Sequence, residues 1–282
     1  MPAPADSAIR SGLPHRSRGD GTGNADRAGS AIRPGLAHRA RVYVMETRAQ
    51  CLTVARTPAF TIPTLIFPLM FYVFFGVVMA FTPTTPTYLL ATYGVFGIIP
   101  PSLFGFGVGL ATERESGALL LKQTTPMPVG AYLFARVAMA LLFGAAVVLE
   151  LFVLGATAGG VALYRWQWFA LAGVVLAGVI PFCALGLAIG AWVRAQAAVA
   201  IINLVYLPMA FLSGLWLPIS LFPSVLQDVA VVFPAYHLAQ LALKVVAMDE
   251  GQSAALHLAV LGACTVAFLV VASFGFRRVS AP

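Results

Sequence analysis

Few side chains in this sequence of 282 residues are able to do acid–base, nucleophilic or metal chemistry: it holds 10 Asp and Glu, 4 His and 3 Cys. Asp228, His237, Asp249, Glu250 and His257 fall close together in the chain. A metal or hydrolytic centre built from them needs two histidines one helical turn apart, an H-E-x-x-H string or a G-x-S-x-G turn, and none of these spacings occurs. They read as solvated polar groups. Glu150 is the one carboxylate inside a long apolar run. A charge is expensive there, so Glu150 is expected to line a substrate path, to carry protons, or to sit protonated in a hydrogen bond to a neighbouring helix. Arg136 lies about 21 Å away along the same helix. Gly105, Gly107 and Gly109 form a G-x-G-x-G string, but no strand precedes it and no acidic partner follows in a βαβ unit. Gly105 and Gly109, one turn apart, point instead to close helix packing. Cys51, Cys183 and Cys264 are too widely spaced for a disulfide framework or a metal knuckle.

These residues sit in a chain that is 60% apolar and 10% charged, against about 25% charged in an ordinary soluble domain. A soluble globular protein is excluded. Crossing the hydrocarbon takes about 20 apolar residues per helix, and six runs qualify, at about 59–81, 88–111, 129–159, 168–192, 195–216 and 254–276. Thr57-Pro58 starts the first as an N-cap followed by proline at the first helical position. Pro63 and Pro68, and Pro100-Pro101 in the second run, are expected to bend their helices. Tyr164-Arg165-Trp166 marks a membrane interface between the third and fourth.

The net charge of +7 is not arranged as a folded basic patch with interleaved aromatics, so no nucleic-acid partner is expected. The basic residues instead follow the topology. With both termini cytoplasmic, 15 of the 17 Lys and Arg fall inside and only Arg165 and Lys244 outside, as the positive-inside rule requires. Residues 7–18 (SAIRSGLPHRSR) and 30–41 (SAIRPGLAHRAR) form a short duplication. Residues 1–34 are too polar and Gly-rich to bury a core and are expected to be a disordered tail. They contain no apolar h-region, so no cleavable signal peptide is expected. From 36 to 56, Val42, Met45, Ala49 and Leu52 recur at helical spacing with Arg39, Arg41, Arg48 and Glu46 on the flanks. This pattern predicts an amphipathic helix lying on the inner membrane surface, in contact with lipid.

Two connections stand out. Residues 217–253 are apolar in stretches too short to cross and are cut by Pro218, Pro223 and Pro234, which predicts an external re-entrant or surface-lying helix pair. Residues 112–128 (TERESGALLLKQTTPMP) predict a short helix capped by Thr112, with Glu113 and Glu115 at its positive end, an apolar contact from Ala118 to Leu121, and a stop at Pro126. The fold class is therefore an all-α polytopic membrane protein of six transmembrane helices, with an N-terminal interface helix and an external helix pair before the last span.

Glu113-Arg114-Glu115, a residue, Gly117, an apolar run and Thr125-Pro126 between the second and third spans resemble the type 2 class of ATP-binding-cassette exporter permeases. The stretch Phe211 to Leu241, with Ser213-Gly214, Pro218, Pro223 and Pro234 in order, is similar to that family's fifth span and external hairpin. The resemblance covers about residues 36–278 and leaves the tail out. It implies a permease that pairs with a second permease subunit, a copy or a paralogue, and with two soluble ATPase subunits. Glu113, Arg114, Glu115, Gly117, Leu119 and Leu120 would couple it to the ATPase. The short external turns resemble the drug-efflux (daunorubicin-resistance) branch, which implies an amphipathic or hydrophobic substrate exported across a bacterial cytoplasmic membrane. No G-x-x-x-x-G-K-[ST] loop occurs in the sequence, so ATP and Mg are expected on the partner ATPase, with no cofactor on this chain and no catalysis of its own. The competing readings are a secondary transporter using Glu150 and a polytopic membrane enzyme built on the His and Asp residues.

Overall fold

Thr57 and Pro58 open a helix because proline lacks the N–H that a first turn leaves unpaired in any case. In the computed structural model, which describes residues 36–118 and 129–279, that helix is α2 (Pro58–Phe71). It is preceded by α1 (Leu36–Ala55) and continued by a π-helical segment, Tyr72–Val78. The chain divides into Met1–Arg39 and Ala40–Pro282; the first unit contributes only the opening turn of α1 to the described residues. The tail expected at 1–34 lies outside them.

The second unit continues with α3 (Thr85–Glu115), α4 (Val129–Thr157), α5 (Arg165–Ala177) and α6 (Val179–Trp192). Then come α7 (Ala195–Leu212), a 3₁₀ turn at Ile219–Leu221, α8 (Ser224–Ala230), α9 (Pro234–Val245) and α10 (Ala254–Val279). Among the described residues six segments are long and apolar enough to cross a membrane: Pro58–Val78, Thr85–Glu115, Gly130–Thr157, Arg165–Trp192, Ala195–Leu212 and Ala254–Phe276. α8 and α9 form a pair bent by 94°. The protein is a polytopic all-helical membrane protein.

α3 is apolar on every side, the pattern of a helix buried all round, and it packs against α4, α6, α7, α2 and α9. Its seam with α6 is tight. A Cβ on Gly186 would lie 2.8 Å from the carbonyl oxygen of Leu103, and one on Gly190 2.7 Å from that of Gly107. Only glycine permits this approach of two backbones. α4 and α10 turn Leu142, Leu149, Val153, Val266 and Phe274 outward, which suits a helix whose outer solvent is hydrocarbon.

Several boundaries differ from the sequence expectation for local reasons. α3 starts at Thr85, with Pro86 in its first turn, and runs unbroken through Pro100-Pro101 to Glu115. No separate helix begins at Thr112; the first breaker is Gly117 at φ 73°. Glu113 and Glu115 therefore stand at the C-terminal end of a long helix rather than at the positive end of a short one. α7 stops at Leu212, short of 216, because Gly214 takes φ 75°. In α1, Tyr43, Gln50 and Val54 are half-buried; of the apolar stripe, Val42 is half-buried too while Met45, Ala49 and Leu52 are exposed, so three of its four residues face away from the protein. Tyr43 packs on Phe134 of α4 with ring centroids 5.4 Å apart.

Candidate functional site

The end of the bundle that carries Arg114, Arg136 and Arg194 is tied together by the Glu113-Arg114-Glu115 string. Arg136, two turns into α4, is 2% exposed and its Nη2 lies 3.0 Å from Glu113 Oε2. Tyr132, one turn earlier, donates its hydroxyl to the same oxygen at 2.7 Å. Arg136 also donates from Nη1 to the carbonyl of Gly105, and its guanidinium sits 4.8 Å from the Tyr132 ring centroid and 6.0 Å from that of Phe106. Ion pairing, hydrogen bonding and ring contact together offset the cost of burying the charge, although Arg136 Nε has no hydrogen-bond partner among the described residues. A Cβ on Gly109 would lie 2.3 Å from Arg136 Nη1, and one on Gly105 2.7 Å from Met139 Cε. Both glycines therefore face α4 of the same chain.

Arg114 and Glu115 act on the corner between α6 and α7. Arg114 donates to the carbonyls of Ala191 and, at 2.8 Å, Val193, where the last carbonyls of α6 lack helical partners. Glu115 Oε1 accepts the Ala195 N–H, at 3.1 Å, from the first turn of α7. Each charge meets the helix pole of opposite sign. The chain leaving α3 is thus fastened to α4, α6 and α7 at once. Ser116 caps α3 and Gly117 follows in the left-handed region. Leu119 and Leu120 lie outside the described residues.

Two adjoining cavities run beside this junction. One, of about 610 Å³, is lined by Gln50, Thr53, Thr57, Thr112, Glu113 and Arg136 together with apolar residues of α2, α3, α4 and α7. The other, of about 580 Å³, is aromatic: Phe60, Phe67, Phe71, Phe96, Phe104, Tyr206 and Trp216 line it, with Asn203 as a polar group. Ala59, Phe60 and Phe104 belong to both walls. Phe71 and Trp216 stack at 5.9 Å, and Phe96 and Tyr206 at 5.5 Å. Volumes of this order hold drug-sized ligands. Glu150 is not among the residues lining either cavity; it is half-buried on α4, and its Oε2 has no partner among the described residues.

At the opposite end, Pro218 precedes the 3₁₀ turn, Pro223 precedes α8, and Pro234 is the first residue of α9. Gln167 of α5 donates to the Val245 carbonyl at 2.8 Å, and Tyr88 of α3 to that of Gly214 at 3.2 Å, so the hairpin is packed onto the bundle. The expectation of solvated polar groups fails here for the histidines. His237 is 1% and His257 0% exposed, because α9 folds back against α10. Lys244 pairs with Asp249 at 2.5 Å, and Tyr236 donates to Glu250 at 3.0 Å.

Arg136 is the residue of this junction that sequence reasoning missed: the sequence counts it among the cytoplasmic-side basic residues near the start of the third span and gives it no partner. Its signal was present: an arginine seven residues inside an apolar helix needs an acid, and Glu113 is the nearest one on a neighbouring span.

A sequence profile of the ABC-2 type transporter family matches residues 42–246. YvfS of Bacillus subtilis (strain 168), provisionally named a transport permease, is 29% identical over 193 residues, covering 67% of this chain and 79% of its own length.

Proposed function

The chain belongs to the ABC-2 type transporter family, and from that premise we propose that it is the permease subunit of an ATP-driven exporter of amphipathic or hydrophobic, drug-like or lipid-like molecules. Members of this family work with an ATPase subunit. In this reading two copies of a soluble ATPase bind and hydrolyse ATP with Mg, while two permeases, identical or paralogous, enclose the path in a bacterial cytoplasmic membrane. The observation that carries the reading is the junction at the end of α3. A force applied to residues 116–128 reaches α4 through Glu113 and the α6–α7 corner through Arg114 and Glu115. α7 supplies Asn203, Tyr206 and Leu207 to the aromatic cavity, so motion of that corner reshapes the cavity wall. Gly117, Leu119 and Leu120 are the contact offered to the ATPase.

The test is reconstitution in vesicles with the soluble ATPase and a fluorescent apolar amphiphile. A Leu119→Asp, Leu120→Asp variant is expected to lose ATPase binding and ATP-dependent efflux by more than about tenfold at unchanged membrane level. Efflux that needs no ATPase, runs on a proton gradient and is abolished by Glu150→Gln would replace this reading with a secondary transporter. Orientation is tested separately: single cysteines at Arg165 and Gln252 should react with an impermeant thiol reagent from outside, and one at Ser116 should not.

A further inference from the structure

His237 and His257 stand twenty residues apart in sequence, on α9 and α10, and their Nδ1 atoms meet at 2.9 Å. The partners assign the tautomers. His237 Nε2 lies 2.8 Å from the Val231 carbonyl just past α8, which only accepts, so Nε2 carries the hydrogen. Neutral His237 then has a bare Nδ1 that must accept, His257 Nδ1 must donate, and His257 Nε2 is left with a lone pair. That atom is buried and has no hydrogen-bond partner among the described residues. A basic nitrogen thus lies buried at a site that joins three elements: the end of α8, α9 and the last span.

We propose that the His237–His257 pair is a proton-binding site that latches the α8–α9 corner to α10, holding the hairpin while it carries at most one added proton and releasing it when it takes up two. The first proton enters at His257 Nε2 and leaves the Nδ1–H···Nδ1 bond intact. The second places a hydrogen on both Nδ1 atoms. Two donors and two positive charges then face each other at contact distance, and the contact cannot survive.

The surroundings do not neutralise that charge. Tyr236 packs edge-on to both rings, 5.3 and 6.2 Å away, and gives its hydroxyl to Glu250. Lys244 and Asp249 offset one another. Tyr88, facing from α3, is committed to Gly214, and Asp228 on α8 is exposed. Burial holds His237 below the ordinary histidine range, against the Val231 carbonyl, which favours the charged form. The released state binds protons more readily than the latched one, so the latch is complete above about pH 6.5 and weakens as pH falls through that value. The proposal does not depend on the export reading; only which compartment's acidity is sensed does.

The experiment uses the full chain in lipid nanodiscs, with Cys51, Cys183 and Cys264 replaced and spin labels at the exposed positions Val225 on α8 and Leu258 on α10. At about pH 8 one narrow distance is expected, and at about pH 5 a longer and broader one. His257→Asn keeps a donor at the Nδ1 position and can turn its amide to accept from a protonated His237, so it should stay narrow at both. Equal distributions for the unmutated histidines at both pH values, or acid opening of His257→Asn like that of the parent, would overturn the latch. Should the variant fail to fold, imidazole nitrogen NMR of the parent decides. Opposite tautomers, Nε2–H at His237 and Nδ1–H at His257, are expected, and identical tautomers would refute the pair.

Discussion

At the arginine end of the bundle the fastening groups are ions: Arg136 with Glu113, Arg114 on the carbonyls closing α6, and Glu115 on the N–H opening α7. At the hairpin end the fastening at the centre is two neutral imidazoles, and an ion pair, Lys244–Asp249, lies at the margin. Arginine stays charged at every physiological pH, whereas histidine changes charge near neutrality. The first junction therefore keeps its charges across the physiological pH range and suits the transmission of mechanical work. The second is poised to let go. Removing one partner also has different consequences: the ionic end keeps a charge that has lost its counter-ion, and the histidine end an unpaired neutral group.

The largest effect follows from that difference. Arg136→Met takes the ion partner from Glu113 and a hydrogen bond from the Gly105 carbonyl, so it should cost about 3–5 kcal/mol of stability. His257→Leu leaves only a polar acceptor on His237 unpaired, about 1–3 kcal/mol. Thermal unfolding of both in nanodiscs ranks them, and a smaller loss for Arg136→Met would reverse the comparison. The combined Arg136→Met, Glu113→Leu change should recover much of the loss, since an apolar replacement of a buried ion pair is often near neutral.

A step down are the glycines that make room for the arginine. Gly109→Ala drives a methyl into Arg136 Nη1, on a guanidinium that the Gly105 carbonyl holds at Nη1 and Glu113 at Nη2, whereas Gly105→Ala meets the end of Met139, a flexible side chain. Overpacking costs about 1–3 kcal/mol, and Gly109→Ala should lie at the upper end and Gly105→Ala at the lower. Equal shifts in melting temperature for the two would mean that Arg136 is loosely held.

The six spans were legible because hydrocarbon imposes one requirement on every crossing segment, a long uncharged run, and that requirement is local. The same holds for Pro218, Pro223 and Pro234, which mark helix starts through their own missing N–H. What stayed hidden depended on which helices meet. Nothing around Thr112 shows that α3 continues to Glu115, because Thr-Glu-Arg-Glu reads equally well as a cap or as a last turn. The partners of Glu113, Arg114 and Glu115 stand 19 to 80 residues away. The histidine pair was invisible for the same reason: a twenty-residue separation has no helical or strand periodicity. The π-helical stretch after Pro68 likewise carries no periodic signal of its own.

The smallest effect separates the two chemistries within the hairpin itself. Lys244, a third exposed on its side chain, hydrogen-bonds Asp249. That bond holds the carboxyl below its ordinary value, helped by the Gly251 N–H and opposed by burial. A partly exposed pair of this kind is worth less than about 1 kcal/mol, so Asp249→Asn should be close to silent at neutral pH. The sign of its pH dependence is opposite in origin to that of the histidines but similar in direction. A carboxylate with a depressed value contributes stability that is present above its unfolded value of about 3.9 and is lost as pH falls through the depressed folded value. The histidine contribution is already fading near pH 6.5. An acid titration of hairpin opening should therefore show a large step below about pH 6.5 and a small one below about pH 4. Asp249→Asn should delete only the lower step and His257→Asn only the upper. Loss of the upper step in Asp249→Asn would move the sensor from the imidazoles to the carboxylate, and would leave both ends of the molecule fastened by ions.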